Sequence, residues 1–116
     1  MVTVDDVREF ALTLPRAYEA VVHGRVKFRV GQIVFVAFSR DETVMGFGFP
    51  KEERDALVET WPDKFMLPRP SDMRFNWVCV RLDRIDVDEA CELVLDAWLM
   101  VVPKRVAREY LATRRL

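Results

Sequence analysis

The chain has few of the residues that form metal and nucleophilic centres, with two cysteines and one histidine among 116 residues. Cys79 and Cys91 lie in apolar patterns and form no Cys-x-x-Cys motif, so we interpret both as small buried hydrophobic residues. The histidine, His23, belongs to no His-x-His or His-Glu-x-x-His spacing, and one histidine with two scattered cysteines makes a poor zinc site. We therefore expect no metal and no cofactor.

Glycine-rich loops and activated serines are missing as well. The chain has four glycines, and the segment 46–48 lacks the rest of a Gly-x-Gly-x-x-Gly motif, so it indicates a bulge or a close packing contact instead of a phosphate loop. Ser39 and Ser71 have no Gly-x-Ser-x-Gly setting. Paired carboxylates lie in helix starts and turns, where capping and solvation explain them. We expect no catalytic residue and no enzymatic activity. An enzyme with a site of an unrecognised type is a third alternative, after the two binding functions described below.

Long hydrophobic runs are also missing. The longest, Ala97 to Val102, is far shorter than the roughly 18 residues that a membrane span requires. The first residues are acidic, unlike the basic start of a signal peptide. We expect a cytoplasmic protein with no membrane partner.

Charge is balanced overall but uneven along the chain. The formal net charge is −1 and the pI is about 5.9, which is below the basic range typical of DNA-binding domains. The final segment, residues 103–116, nevertheless has Glu109 as its sole acidic residue and holds five basic ones: Lys104, Arg105, Arg108, Arg114 and Arg115. A mildly acidic body therefore precedes a basic end.

Hydrophobic periodicity predicts one α+β domain over residues 1–116. A period of two predicts strands near 18–22, 26–30, 32–38 and 43–49. Residues 75–82 are apolar on both faces, which predicts a strand that lies in the sheet centre or has each side covered. Helical periods begin at Thr3, Pro50, Asp86 and Pro103, with capping-box patterns at Thr3 and Asp86. The stretch 63–74 is too broken for a regular element. The order α-β-β-β-β-α-β(-β)-α-α predicts a two-layer sandwich, one antiparallel sheet with helices packed on it.

The tryptophans are predicted to lie in the core. Trp61, Trp77 and Trp98 are surrounded by Leu, Val and Cys, whereas a solvent-facing platform for stacked bases mixes aromatic residues with Lys, Arg and Gly. Trp61 in particular is assigned to the buried stripe of the helix that follows Pro50. Phe75, between Arg74 and Asn76, is the one aromatic residue in a mixed setting.

Dispersed motifs over nearly the whole chain carry a resemblance to a known family. They are Leu14-Pro15 followed by Glu19, His23-Gly24-Arg25-Val26-Lys27-Phe28-Arg29-Val30, Pro50-Lys51-Glu52-Glu53-Arg54, Phe65 with Pro68, Trp77-Val78 with Val80-Arg81-Leu82, and Ala97-Trp98 with Pro103-Lys104-Arg105. In this order they resemble the MmcQ/YjbR family of small bacterial proteins. The resemblance implies a two-layer fold with a "double wing" likeness to a DNA-binding domain, and DNA binding as the function.

The chain departs from that family pattern at two places. The family often has a lysine late in the fourth strand, where residues 45–49 of this chain have none. It also often has a loop rich in His and Gly before the tryptophan, where residues 69–76 are of different composition.

Two binding functions are open at this point. In the first, Arg25, Lys27, Lys104, Arg105 and Arg108 form a basic surface that contacts DNA phosphates weakly and electrostatically; the alternative for these residues is a solvated strand face and a charged terminus. In the second, the chain is a non-enzymatic, chaperone-like module that binds a protein or small ligand, or a second copy of itself. His23, Phe75 and Trp77 would then border the pocket, although a histidine before glycine is also a common turn residue.

Overall fold

The computed structural model describes residues 1–114. Four α-helices and six β-strands follow one another along the described residues in the order α1 (Val4–Ala11), β1 (Ala17–Val22), β2 (Arg25–Val30), β3 (Ile33–Phe38), β4 (Val44–Gly48), α2 (Lys51–Thr60), β5 (Phe65–Met66), β6 (Trp77–Arg81), α3 (Val87–Leu99) and α4 (Lys104–Arg114). Two short 3₁₀ turns, Pro70–Asp72 and Leu82–Arg84, flank β6. The predicted α+β class is confirmed.

The six strands form one antiparallel sheet in the order β1-β2-β3-β4-β6-β5. The first four strands are joined by short turns, and α2 connects β4 to the far side of the sheet. The prediction that residues 63–74 contain no regular element was wrong, because Phe65 and Met66 pair with β6 at Val80 and Cys79. A two-residue strand gives no periodic signal in sequence.

The two faces of the sheet differ in character. In β2, Val26, Phe28 and Val30 are buried, whereas the basic residues between them are half-buried on the opposite face. This alternation is the pattern of an antiparallel strand with one face against the core. Helices α1 and α3 pack against each other, and α3 also contacts β3 and β4. One face of the sheet therefore contributes to the hydrophobic core, and the other, here called the open face, carries the basic residues of β2.

Strand β6 lies inside the sheet, between β4 and β5, which agrees with the first predicted alternative, but it is not covered on both faces. Val78 and Val80 are fully buried, but Trp77 and Cys79 are half-buried on the open face. The other thiol, Cys91, is half-buried too, so both cysteines are less buried than expected. Desolvation is the main cause that raises the pKa of both thiols, which favours their protonated form.

The tryptophans occupy three different environments. Trp98 is fully buried; its Nε1 donates to the Pro15 carbonyl at 2.9 Å, and its ring contacts that of Tyr110 at a centroid distance of 5.1 Å. Trp61 is 50% exposed, so its predicted burial was wrong. It follows the last residue of α2 and has left the helical geometry that would have placed it on the buried stripe. The core prediction holds for Trp98 alone.

Helix starts follow the predicted capping signals with one difference. Thr3 and Asp6 form the complete reciprocal capping box of α1. At α3, Asp86 accepts a hydrogen bond from the Glu89 amide at 2.8 Å, but the Glu89 carboxylate pairs with Lys64 at 3.3 Å.

None of the helices within residues 1–114 has the length and apolar character needed to cross a membrane.

A bidentate ion pair joins α1 to the edge strand β1. Arg8 Nε lies 2.7 Å from Glu19 Oε1, and a second guanidinium nitrogen of Arg8 lies 2.9 Å from Glu19 Oε2. The hydrogen bond from Arg8 is the main cause that lowers the pKa of Glu19, against the opposing effect of desolvation. The folded state therefore holds the Glu19 carboxylate ionised to lower pH than the unfolded chain does.

We predict that Glu19→Gln lowers the free energy of unfolding by about 1 kcal/mol near neutral pH, after allowance for solvent screening of this partly exposed pair. Because the folded-state pKa is depressed, this contribution is present above the unfolded pKa and is lost as the pH falls through the folded one. Urea titrations from about pH 7 to pH 3 should show the wild type and the variant converging in acid. Glu9→Gln, on the same helix, is the control. A difference between wild type and Glu19→Gln that stays constant across this range would contradict the assignment.

Candidate functional site

The open face of the sheet forms the floor of a broad groove of about 1250 Å³. Strands β2, β3, β4 and β6 contribute to it, and the turn after β1 and the loop before β6 border it. Its polar and aromatic lining includes His23, Arg25, Lys27, Arg40, Arg69, Asp72, Phe75 and Trp77. Five of the residues singled out from sequence, including all three pocket candidates, therefore lie around one groove.

The turn between β1 and β2 positions His23 at the border of the groove. His23 and Gly24 both have positive φ values, 52° and 75°, as required at the two central residues of a tight type I′ hairpin turn. The turn sets the register in which Val22 faces Arg25. His23 is exposed beside the basic strand face.

The basic residues of β2 lie beside unusually small neighbours. Lys27 pairs with Ala37 of β3, and Ala37 pairs in turn with Gly46 of β4. Paired residues of antiparallel strands share a face, so small side chains leave open space next to the Lys27 side chain. Arg25 Nε donates to the Phe38 carbonyl at 3.0 Å, which holds this guanidinium along the sheet.

Positive charge dominates the groove although the whole chain carries a net charge of −1. The lining has four cationic side chains and one carboxylate, that of Asp72, which lies 3.6 Å from Arg69 Nε. The ion pairs formed among residues 1–114 include none by Arg25, Lys27 or Arg40. Three cations therefore face the groove without a carboxylate to neutralise them.

The indole of Trp77 lies against β4 in the middle of the groove. A Cβ placed on Gly46 would lie 2.6 Å from Trp77 Nε1 and 2.8 Å from the adjacent ring carbons. Such distances are shorter than real Cβ contacts, so a side chain at residue 46 would force the indole to shift. The predicted close packing of the segment 46–48 is confirmed at Gly46, whereas a Cβ on Gly48 would make an ordinary contact with Ala97 of α3 at 3.5 Å.

A buried arginine holds the groove wall that carries Phe75 and Trp77. Arg54 of α2 is 5% exposed. Its Nη1 donates to the carbonyls of Phe75 and Trp77, each at 3.0 Å, and its Nη2 donates to the Met73 carbonyl at 2.8 Å. Three carbonyl dipoles thus replace much of the water that would otherwise solvate this cation, although its Nε is buried with no hydrogen-bond partner among the described residues.

Two further hydrogen bonds hold the same loop to the start of α2. The Asn76 side-chain oxygen accepts from the Lys51 amide at 3.0 Å, and the Asn76 carbonyl accepts from the Phe49 amide at 3.1 Å. Phe75 remains 49% exposed, with the Arg74 guanidinium 4.7 Å from its ring centroid. Sequence reasoning missed Arg54, although its spacing of three and four residues from Leu57 and Val58 places it on their inward helical face.

The basic residues of α4 do not join the groove. Lys104, Arg105 and Arg108 are exposed and none of them lines it, and Arg105 pairs with Glu109 at 3.1 Å. The inward face of α4 packs through Tyr110 on Trp98 of the core. Arg115, counted with this basic end in the sequence, lies outside the described residues. The single basic surface expected from sequence is therefore divided between two parts of the molecule.

The chemistry of the groove suits binding of anions. Cys79 lines it, but burial raises the pKa of that thiol and so disfavours the nucleophilic thiolate. Across residues 1–114 no three His, Cys, Asp or Glu side chains cluster closely enough to hold a metal ion. Guanidinium and ammonium groups around an aromatic floor are the groups that contact phosphates and stacked bases.

Comparison with known proteins gives two matches. The family model described as YjbR matches residues 12–100. Among solved structures, the chain is similar to the crystal structure of Deinococcus radiodurans protein DR2400, described as family-model domain DUF419. The TM-score is 0.76 at 22% sequence identity, over 94% of this chain and 88% of that one. No curated protein matches the sequence.

We predict that Arg54→Gln lowers the free energy of unfolding by about 2–4 kcal/mol, because three buried carbonyls lose a charged donor that glutamine is too short to replace. Arg108→Gln, the same change at an exposed helical position, should stay within about 0.5 kcal/mol of the wild type. Urea denaturation of both variants measures the difference. Equal stability of the two variants would show that the contacts of Arg54 do not hold the loop.

Proposed function

The chain belongs to the YjbR family, and we propose that it binds DNA through the groove on the open face of its sheet. The observation that supports this is the set of cationic side chains around the groove, three of which have no carboxylate partner among the described residues. Lys and Arg side chains that contact phosphates release condensed counterions, and this release provides much of the affinity of a nucleic-acid complex.

The size of the groove favours a polymer over a compact ligand. Sites for small molecules usually enclose about 300–1,000 Å³ and bury most of the ligand. The groove is larger, at about 1250 Å³, and open along the sheet. A nucleic-acid strand can extend through such a groove and contact its cations in turn.

A small anionic ligand is the second candidate. The groove is lined by the rings of His23, Phe75 and Trp77 and by the cations of Arg25 and Lys27. An aromatic anion bound there could stack on a ring and pair with a cation. Competition between a mononucleotide and an oligonucleotide for the groove separates the two functions. A mononucleotide that binds as tightly as the oligonucleotide would favour the small ligand.

We further propose that the function is binding without covalent chemistry. In support, the carboxylate in the groove lining, Asp72, is paired with Arg69, and the thiol of Cys79 is held protonated by burial. A catalytic site needs an activated nucleophile or a general base within reach of the reacting atoms. DNA as partner also agrees with the cytoplasmic location expected from the sequence.

We predict that the double variant Lys27→Gln and Arg40→Gln weakens binding of a fluorescein-labelled DNA oligonucleotide by about tenfold or more at about 0.1 M salt. Its salt dependence should also become shallower, by about one unit of log Kd per log salt for each lost phosphate contact. Fluorescence anisotropy at several salt concentrations measures both effects.

The matched control is the double variant Lys104→Gln and Arg108→Gln, which removes the same charge from α4. It should bind nearly as the wild type does. If instead the α4 variant loses affinity and the groove variant does not, DNA binds to α4. Wild-type protein that fails to bind at low salt would contradict the proposed function itself.

A further inference from the structure

We propose that the groove takes an unpaired strand of nucleic acid and that one of its bases stacks on Trp77. This inference rests on the proposed function and specifies which form of nucleic acid the groove accepts. It follows from the positions of the aromatic rings relative to the cations, and a purely electrostatic surface would not require those rings.

Trp77 has the location and the support that a stacking platform needs. Its indole is half-buried in the groove, with its Nε1 edge against the backbone of β4 at Gly46. The carbonyl of Trp77 is held by Arg54 at 3.0 Å. A ring fixed by packing and by its backbone loses little conformational entropy when a base stacks on it.

Phe75 provides a second ring two residues away. It is 49% exposed and also lines the groove. Its carbonyl accepts from the same Arg54 guanidinium, so one buried side chain sets the backbone at both rings. The Arg74 guanidinium, 4.7 Å from the Phe75 centroid, adds a positive charge beside this ring.

Cations lie within reach of a strand whose base contacts Trp77. Lys27, Ala37 and Gly46 are lateral neighbours on three consecutive strands, so the backbone of Lys27 lies two strand spacings, or about 10 Å, from Gly46. An extended lysine side chain spans much of that distance. A phosphate next to the stacked base can therefore meet the Lys27 ammonium across Ala37.

A duplex does not offer the same contacts. Its bases are already paired and stacked, and removing one from the helix costs a few kcal/mol. A single strand presents its bases without that cost, and stacking on an aromatic side chain tolerates every base. The combination of rings and cations therefore favours the unpaired strand.

The test compares a mixed-sequence single-stranded DNA oligonucleotide of about 12 nucleotides with its duplex, by anisotropy under the same salt conditions. We expect tighter binding of the single strand. Trp77→Leu should weaken single-strand binding by about 5- to 100-fold and leave the salt dependence nearly unchanged, because no cation is removed. Trp61→Leu, at an exposed tryptophan outside the groove lining, is the control and should bind as the wild type does.

A second variant keeps the ring but moves it. Gly46→Ala introduces a Cβ where the indole lies, so it should also weaken single-strand binding while Trp77 is still present. Circular dichroism and urea titration verify that both variants fold. In a Trp61→Phe background, quenching of tryptophan emission by added oligonucleotide reports directly on Trp77, because Trp98 is fully buried.

The outcomes separate this inference from the function on which it rests. Equal or tighter binding of the duplex, with Trp77→Leu unchanged and the Lys27 and Arg40 double variant weakened, would overturn the stacking inference and leave DNA binding in place. Failure of the wild type to bind either form would overturn both. Weakened single-strand binding by Trp77→Leu, with Trp61→Leu unaffected, supports the inference.

Discussion

The buried guanidinium of Arg54 is the interaction on which the groove depends. It donates to the carbonyls of Met73, Phe75 and Trp77, and with no carboxylate paired to it among residues 1–114, these carbonyl dipoles stabilise its charge. The position of α2 against β6 and the conformation of residues 73–77 are therefore linked through one side chain. The same three bonds that stabilise the buried cation, whose Nε has no hydrogen-bond partner among the described residues, also fix the backbone that presents two aromatic rings to the groove.

The two faces of the sheet carry different kinds of side chain. The residues of β2 and β6 that face the core are large and apolar, and their alternates on the open face are basic, aromatic or small. Gly46 has no side chain and that of Ala37 is small, which leaves room on the floor of the groove for the Trp77 indole and the Lys27 side chain. Acidic residues outside the groove balance the total charge, so the chain is nearly neutral although the surface of the groove is positive. The net charge of the chain is thus a poor guide to the local charge of the groove.

Sequence patterns predicted the elements well because local interactions determine them. The Thr3 capping box and the alternation in β2 depend on residues near in sequence or on simple periodicity. The roles of Trp77 and Arg54 depend on tertiary placement. An apolar context such as that of Trp77 occurs equally in a covered strand and in a strand with one open face, and an arginine at a helix start normally lies in solvent.

For the same reason, the sequence could not predict that the basic residues of the groove and those of α4 lie on two separate surfaces. Lys27 and Lys104 carry the same charge in similarly amphipathic elements, and only the packing of α4 on Trp98 separates its cations from the groove. The resemblance in motifs, in contrast, was carried by many dispersed residues and identified the family correctly.

We propose that the groove, and not α4, is the binding surface for nucleic acid. Titration of ¹⁵N-labelled protein with a single-stranded oligonucleotide, followed by amide chemical shifts, tests this proposal most directly. We expect changes concentrated in β2, at Arg40, at Gly46 and along residues 69–79, together with the indole N–H of Trp77, and little change in α4. Shifts concentrated in Lys104–Arg114, with the groove unaffected, would contradict it.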